Sequence, residues 1–260
     1  MNVLLLSDFS TPAHNAHKYS IHLLENQEVN FLITHIKKPC PKSSCGGSCK
    51  LGIHQNLLLQ KKQLEDSTES LLHRFEIILQ EGNLLETVRR MVELYDIDMI
   101  VMGAHGKSGK TGLKLGTYTK NLAIKVKCPV LIVFENSSLK LPTNINFPVD
   151  YTDKLQYKCI TKFKRLPKWE KMSVDILELA SHDTLIHQAL AKKVVTDSFV
   201  DVETNFVQTT SDFDVAKTIK EKDLLLLAAR NIGVCEQIFS YVEANYQDFQ
   251  DAPPILVLHA

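Results

Sequence analysis

The chain has 260 residues, 44% of them hydrophobic, and its 30 Lys+Arg balance its 30 Asp+Glu, so the formal net charge is zero. A chain of this length can bury one large core or two cores of about 130 residues each. No apolar run approaches the roughly 18 residues of a membrane span, and no basic region precedes the first apolar residues, as it would in a signal peptide. We therefore expect a globular cytoplasmic protein without a membrane partner.

The predicted strands and helices alternate through the first half. The apolar run at 3–6 predicts a first strand, and Thr11-Pro12 predicts an N-cap followed by the first helical position of a helix ending near Glu25. Further strands are predicted at 29–36, 75–79, 98–103 and 129–134, with helices over about 55–73, 83–95 and 116–126. This alternation predicts an α/β fold with an open, mostly parallel sheet, right-handed crossovers and helices on both faces.

The second half repeats this order. Residues 145–152 align with 3–10, which places Asp150 where Asp8 lies, each at the carboxyl end of a first strand. Further strands are predicted at 173–179, 223–229 and 253–259. We therefore expect two tandem Rossmann-like domains, residues 1–138 and 143–260, joined by a polar, proline-containing linker.

The charges are distributed unevenly. Residues 1–140 hold 17 Lys+Arg against 13 Asp+Glu, whereas residues 141–260 hold 13 against 17. Residues 99–134 contain six lysines and no acidic residue. This positive patch is too local for duplex nucleic acid and lacks the interleaved aromatic residues that stack single strands. A compact anion is therefore a better partner than a nucleic acid.

The stretch VMGAHGKSGKTGLKLGTYTK (101–120) follows the predicted fourth strand. Ligands of open parallel sheets bind beyond the carboxyl ends of the strands, where this stretch lies. Gly103 and Gly106 allow the backbone to approach a ligand, and the helix starting at Gly116-Thr117 directs free N–H groups and a positive dipole end to the same place. With the hydroxyl groups of Thr117 and Thr119, the stretch predicts a phosphate site.

This stretch carries a family resemblance. Gly103-x-x-Gly106, nine residues and then Gly116-Thr117 resembles the nucleotide-binding signature of the universal stress protein family, G-x-x-G, nine residues, G-[ST]. VMGAHGKSG resembles the strand-four segment of that family, and SDFS (7–10) resembles its first-strand ending. The resemblance covers residues 1–136 in element order and continues in the second half as topology only. It implies an adenine nucleotide alpha hydrolase-like fold for each domain.

The resemblance also implies roles for individual residues. Asp8 and Ser7 would contact the adenosine part of ATP or a related adenine nucleotide, and Ile36 would line the adenine pocket. The ribose and phosphates would be held by Met102, Gly103, Gly106, Gly116, Thr117 and Thr119, and Mg²⁺ is a further candidate cofactor. The residues alone leave an alternative for Asp8, which would then cap the first helix.

The implied function is a stress-response regulatory protein that binds nucleotide in its N-terminal domain. The alternative is an enzyme that hydrolyses ATP slowly, although the chain contains neither a G-x-x-x-x-G-K-[ST] loop nor an SGGxDS-type loop. The resemblance further implies that the two domains pair through their last strands, 130–134 and 254–258. A homodimer of the whole chain is a further alternative.

The second domain departs from the family pattern. Its segment ARNIGVCEQIF (229–239) has a single glycine and no G-[ST], and it carries Glu236 where the first domain has lysines. A carboxylate there would repel phosphate. We therefore expect a degenerate domain that does not bind ATP, in which Asp150 is a helix cap, a relic or part of a pocket for another ligand.

A cysteine cluster follows the second predicted strand. CPKSSCGGSC (40–49) holds three of the six cysteines, in a loop rich in Gly, Ser and Pro. Cys40, Cys45 and Cys49 lack the fourth ligand of a structural zinc site unless His54 or another histidine supplies it. A zinc or copper site, a redox-responsive thiol set and an inert loop all fit this pattern. The other three cysteines, Cys128, Cys159 and Cys235, are expected to be buried as small hydrophobic residues.

Overall fold

The computed structural model describes residues 1–40, 48–106, 115–151, 160, 171–179, 185–209, 223–245 and 252–259. The chain divides into two compact units, unit 1 within residues 1–135 and unit 2 mainly from residue 136 onward. Among the helices in the described ranges, none is both long and apolar enough to cross a membrane.

Unit 1 is an open α/β sheet whose strands are all parallel. Its elements are β1 (Asn2–Leu6), α1 (Thr11–Leu23), β2 (Val29–Lys37), α2 (Ser48–Glu65), β3 (His73–Glu81), α3 (Leu84–Leu94), β4 (Met99–Gly103), α4 (Thr117–Lys125) and β5 (Val130–Val133). The strand order is β3-β2-β1-β4-β5. Helices α1 and α2 are hydrogen-bonded to each other, and α3 contacts α4. With right-handed crossovers, each pair covers one face of the sheet, which confirms the predicted fold class.

The core of unit 1 explains why its inner strands read as continuous apolar runs. In β1, residues 3–5 are fully buried, and every residue of β4 and β5 is buried. Strands covered by helices on both faces expose neither side to water, so no polar residue alternates with the apolar ones. The helix α3 shows the opposite pattern, with one apolar stripe. Its N-cap is Asn83, whose side chain accepts a hydrogen bond from the Glu86 N–H at 3.3 Å.

Unit 2 has the same order of strands. Its elements are β6 (Asn144–Val149), β7 (Ser173–Glu178), α5 (Leu185–Ser198), β8 (Thr204–Gln208), β9 (Asp223–Ala228), α6 (Ile232–Asn245) and β10 (Ile255–Leu258). They run parallel in the order β8-β7-β6-β9-β10, so in both units the strand order along the chain is third, second, first, fourth, fifth. Two copies of one domain would give this agreement, although the repeat and the boundaries 1–138 and 143–260 stay proposals.

Several predicted boundaries are wrong. The helix expected over 55–73 runs instead over Ser48–Glu65, so it begins inside the predicted cysteine loop. The cysteines and Gly52 suggested a loop, but the buried side chains of Leu57, Gln60 and Leu64 give α2 a core-facing side at helical spacing. In unit 2, β6 ends at Val149 and β8 was not predicted, because its sequence TNFVQ has only two apolar residues.

Candidate functional site

Asp8 and Gly106, two residues of the predicted site, meet at one edge of the sheet of unit 1. Strand β1 lies between β2 and β4, so the chain order reverses there, and open α/β sheets bind ligands beyond such a point. Asp8 follows β1 and Gly106 follows β4. A Cβ built on Gly106 would lie 2.7 Å from Asp8 Oδ2, so the carboxylate occupies space that only glycine leaves open. The structure therefore brings these two predicted residues together.

Gly103 serves a different purpose from Gly106. A Cβ at this position would lie 2.8 Å from the backbone N of Ala13 and 2.8 Å from the carbonyl carbon of Pro12. The missing side chain thus lets the start of α1 pack against the end of β4. Helix packing accounts for Gly103, where the sequence suggested close approach to a ligand.

The turn between β1 and α1 is held by its own side chains. Ser10 is the N-cap of α1 and accepts a hydrogen bond from the Ala13 N–H at 3.3 Å, while Asp8 Oδ1 accepts one from the Ser10 N–H at 3.1 Å. The prediction of Thr11 as the cap is therefore wrong, and Asp8 does not cap the helix. Between Asp8 and Ser10, Phe9 adopts a left-handed backbone with φ of 62°. A bulky residue in this conformation costs about 1 kcal/mol or more, and such strain often occurs at functional sites.

The N-terminus of α4 is open. Gly116 is its N-cap residue, and no described residue supplies a side-chain cap. The Gly116 N–H donates to the Ala104 carbonyl at 2.9 Å, and the buried Thr119 hydroxyl donates to the Gly103 carbonyl at 3.3 Å, so these two donors are engaged. The N–H groups of the first helical turn, beginning at the exposed Thr117, have no carbonyl partner in the helix. Together with the helix dipole they form a site suited to an anion.

Ser7 is engaged inside the protein. Its N–H donates to the Thr34 carbonyl at 2.8 Å, its carbonyl accepts from His35 Nδ1 at 2.7 Å, and its hydroxyl donates to Gln60 Oε1 at 2.8 Å. The His35 ring also stacks on Phe9, with the ring centroids 4.9 Å apart. These contacts fix the end of β1 just before Asp8, so Ser7 positions Asp8 and has no free hydroxyl donor for a ligand.

A buried polar chain supports this end of the strand. His17 Nε2 lies 3.0 Å from the Leu6 carbonyl and must carry the proton, and Nδ1 then accepts from Gln60 Nε2 at 3.2 Å. Burial lowers the pKa of His17 to about 4, so the ring is neutral at pH 7. Neither His17 nor Gln60 was predicted from the sequence to support the site. The available signal was a glutamine between Leu57 and Leu64 on the buried side of α2.

The two apolar residues assigned to the pocket differ in exposure. Met102 lies in β4 and is only 8% exposed, which leaves little of it for a ligand. Ile36 is half-buried near the end of β2, the strand that neighbours β1. Ile36 therefore lies at the same edge of the sheet as Asp8, and its role in an adenine pocket stays a prediction.

The corresponding region of unit 2 is closed by its own side chains. Val3 pairs with Met99 in unit 1 and Ile145 with Leu224 in unit 2, which places Asn231 at the position of Gly106. Asn231 Nδ2 donates to Asp150 Oδ1 at 2.6 Å, and Asn231 Oδ1 accepts from Val234 N–H at the start of α6. Residues 229–231 alone join β9 to α6, whereas residues 104–116 join β4 to α4. In unit 2 the side chain of Asn231 thus both binds the aspartate and caps the following helix, which Gly106, at the corresponding position of unit 1, has no side chain to do.

The cysteine cluster is described in part. Cys40 Sγ and Cys49 Sγ lie 3.3 Å apart, and Cys45 lies outside the described residues. His54 is exposed on α2, and no group of three or more His, Cys, Asp or Glu that could hold a metal occurs in the described part of the chain. Cys128 and Cys235 are buried as expected, and Cys159 is not among the described residues.

Comparison with known proteins decides the family. Residues 1–133 match the model of the universal stress protein family. The chain belongs to the universal stress protein family. Over 78 residues it is 33% identical to a universal stress protein of Methanocaldococcus jannaschii, a match covering 30% of this chain and 46% of that protein. The chain therefore spans less than half the length of that curated relative.

Solved universal stress proteins share the fold. A universal stress protein from Archaeoglobus fulgidus matches with a TM-score of 0.70 at 14% identity, over 99% of this chain and 98% of that one. A family protein from Arabidopsis thaliana, solved with AMP bound, matches with a TM-score of 0.35 at 14% identity, over 52% of this chain and 91% of that one. The Archaeoglobus fulgidus protein is similar to this universal stress protein in fold over nearly the whole of both chains.

Proposed function

We propose that this universal stress protein is a stress-response regulatory protein that binds ATP or a related adenine nucleotide at the carboxyl edge of unit 1. One observation carries the proposal. The carboxylate of Asp8 meets Gly106 where the order of strands reverses, and the uncapped N-terminus of α4 follows the same strand, β4. A hydrogen-bond acceptor for a nucleoside and a donor set for phosphate thus belong to one edge of one sheet.

The charges indicate which end of the nucleotide lies where. A carboxylate repels phosphate, so Asp8 faces the nucleoside, whose hydroxyl and amino groups are donors that a carboxylate accepts. The phosphates then lie toward the first turn of α4, in a segment whose residues 99–134 have six lysines and no acidic residue. No residue is assigned to Mg²⁺, which would enter with the phosphates.

The experiment compares matched aspartates. Nucleotide released from the purified protein is identified by mass spectrometry, and ATP, AMP and cyclic AMP are titrated by calorimetry into the wild type, Asp8→Ala and Asp150→Ala. We expect one nucleotide per chain, at least about tenfold weaker binding for Asp8→Ala, which corresponds to about 1.4 kcal/mol, and unchanged binding for Asp150→Ala. Equal losses in both variants, or no nucleotide bound at all, would contradict the proposal.

The alternative of slow ATP hydrolysis is tested on the same samples. Phosphate release from ATP is measured for the wild type and for Gly116→Ala, whose added Cβ has room in the protein, 3.4 Å from Thr119 Oγ1. A binding protein releases no phosphate above the rate of the variant. A wild-type rate well above that of Gly116→Ala would favour the enzyme.

Three further proposals are made, of which the first follows from the family resemblance. The two units would pair through their last strands, 130–134 and 254–258, the whole chain would be able to form a homodimer, and the protein would act in the cytoplasm. Light scattering on the purified chain, with and without nucleotide, gives the mass of the particle. A mass of one chain under both conditions would exclude the homodimer.

A further inference from the structure

Two cysteines lie in contact at the carboxyl end of β2, outside the residues assigned to nucleotide. Cys40 follows β2 by three residues, and Cys49 is the second residue of α2. Their Sγ atoms are 3.3 Å apart, and both side chains are half-buried and form no disulfide. A disulfide needs a separation of about 2 Å, which is a short movement for two side chains already in contact. A small molecule can also reach them, because neither is buried.

A lysine ammonium lies beside the first of these thiols. Lys37 Nζ donates to Cys40 Sγ at 3.3 Å and to the Lys38 carbonyl at 3.2 Å, and it pairs with Glu81 Oε2 at 3.1 Å. These three acceptors match the three N–H donors of an ammonium group. The hydrogen bond to Cys40 and the pairing with Glu81 raise the pKa of Lys37, so the group is charged at pH 7.

The charges around Cys40 favour an anion there. Glu81 Oε2 pairs with Lys50 Nζ at 3.3 Å as well as with Lys37, so two ammonium groups surround one carboxylate. A thiolate on Cys40 would balance the second positive charge. Cys49 lies in the first turn of α2, where the helix dipole also favours negative charge. Cys40 thus lies beside the ammonium group of Lys37, and Cys49 lies at the positive end of the α2 dipole.

We propose that Cys40 and Cys49 are a redox-modification site that forms a reversible disulfide with a small-molecule disulfide as oxidant. The Cys40 thiolate attacks one sulfur of the oxidant, which forms a mixed disulfide and releases one thiolate. The Cys49 thiolate then attacks the Cys40 sulfur, which forms the Cys40–Cys49 bond and releases the second thiolate. The protein loses two electrons and two protons, and the oxidant gains the two electrons.

Mapping of the thiols tests the pairing. The reduced full-length protein is incubated with oxidised glutathione, free thiols are blocked with N-ethylmaleimide, and peptides are identified by mass spectrometry. We expect a Cys40–Cys49 link in the wild type and in Cys45→Ser, and a glutathione adduct on Cys40 in Cys49→Ser. Cys128 and Cys235, which are buried, should react only after unfolding and serve as internal controls.

Three results would overturn the proposal. In the wild type, Cys40 and Cys49 could both be recovered as blocked free thiols, or linked only to Cys45. Alternatively, the purified protein could contain one equivalent of zinc that is released when the thiols are blocked. The zinc result would assign the cluster to metal binding.

The role of Lys37 is tested by reaction rate. We expect Lys37→Gln to slow alkylation of Cys40 by iodoacetamide about tenfold at pH 7 and to have little effect at pH 9.5, where thiols ionise without help. Lys37→Arg keeps the cation and should restore most of the rate. If Lys37 is needed only for packing, Lys37→Gln and the wild type will react at equal rates at pH 7. That result would contradict a role of Lys37 in the reactivity of Cys40.

Discussion

Two glycines three positions apart, Gly103 and Gly106, are explained by different neighbours. The missing Cβ of Gly103 makes room for the backbone at the start of α1, which cannot move without shifting a helix. The missing Cβ of Gly106 makes room for the end of the Asp8 side chain, which can rotate. A glycine signature therefore combines a position that lets a helix pack with a position that leaves room for an acidic side chain, and only the structure separates them.

Substitution of the two glycines should separate stability from binding. We expect Gly103→Ala to lower the free energy of unfolding by about 1–3 kcal/mol, because its Cβ overlaps backbone atoms. Gly106→Ala should change stability by less than about 1 kcal/mol but weaken nucleotide binding at least about tenfold, because it displaces the Asp8 carboxylate. Urea unfolding and calorimetry measure the two quantities. The reverse assignment of effects would contradict the explanation.

His17 should make the stability of unit 1 depend on pH. Its pKa is about 4 in the folded protein, below the ordinary value of 6.5, so the unfolded chain binds the extra proton first as the pH falls. The stabilisation is complete above pH 6.5 and is lost as the pH decreases toward 4, by up to about 3 kcal/mol. Urea unfolding between pH 7 and pH 4 measures this slope.

A variant pair isolates the contribution of His17. His17→Gln removes the titrating ring and should give a flatter dependence of unfolding free energy on pH. His22→Gln changes an exposed histidine of the same helix and should keep the wild-type slope. Equal slopes for His17→Gln and wild type would show that other groups cause the dependence.

At the scale of elements, the uncapped start of α4 predicts that one substitution can stabilise the protein and abolish nucleotide binding. A carboxylate at Thr117, the first residue of the helix, interacts favourably with the helix dipole but occupies the expected position of phosphate. We expect Thr117→Asp to raise the free energy of unfolding by about 0.3–1 kcal/mol while it abolishes nucleotide binding. Thr117→Asn, which has the shape of aspartate without its charge, is the control, and it should keep more binding than Thr117→Asp. If Thr117→Asp binds ATP like wild type, the phosphates lie elsewhere.

The elements differ in how far the sequence predicts them. Asp8, Gly106 and Gly116 could be assigned to one edge because each lies at the end of a strongly apolar strand or the start of a helix, which is local information. The boundaries of α2 could not be predicted from the sequence, because its buried side consists of Leu57, Gln60 and Leu64 within a polar segment. The contact of Gln60 with His17 joins two helices that are distant in sequence, so no local pattern reports it.

At the scale of the whole molecule, nucleotide should stabilise one unit. A ligand present at 100 times its dissociation constant adds about 2.7 kcal/mol to the stability of the state that binds it. We expect hydrogen exchange measured by mass spectrometry to slow in peptides from residues 1–135 on addition of ATP, and to be unchanged in peptides from residue 136 onward. Equal protection in both ranges would indicate a second site.

The overall organisation was largely predictable, since alternating strands and helices of ordinary length specify a parallel sheet. The degenerate site of the second half was predictable only in part. Glu236 and the missing G-[ST] indicated a degenerate site, but the hydrogen bond from Asn231 to Asp150 depends on the register of β6 and β9. A sequence shows that a loop is short, whereas the structure shows which side chain then fills the space.

The left-handed backbone of Phe9 has a counterpart in Tyr151, with φ of 58°, also directly after an aspartate. Unit 2 therefore keeps the bend that presents an aspartate at the rim of its sheet, even though an asparagine now covers that aspartate. An engineer who wished to install a new small-molecule receptor in unit 2 would not need to rebuild this bend. The design would instead lengthen the three-residue connection and remove the side chain of Asn231, which donates to Asp150 at 2.6 Å.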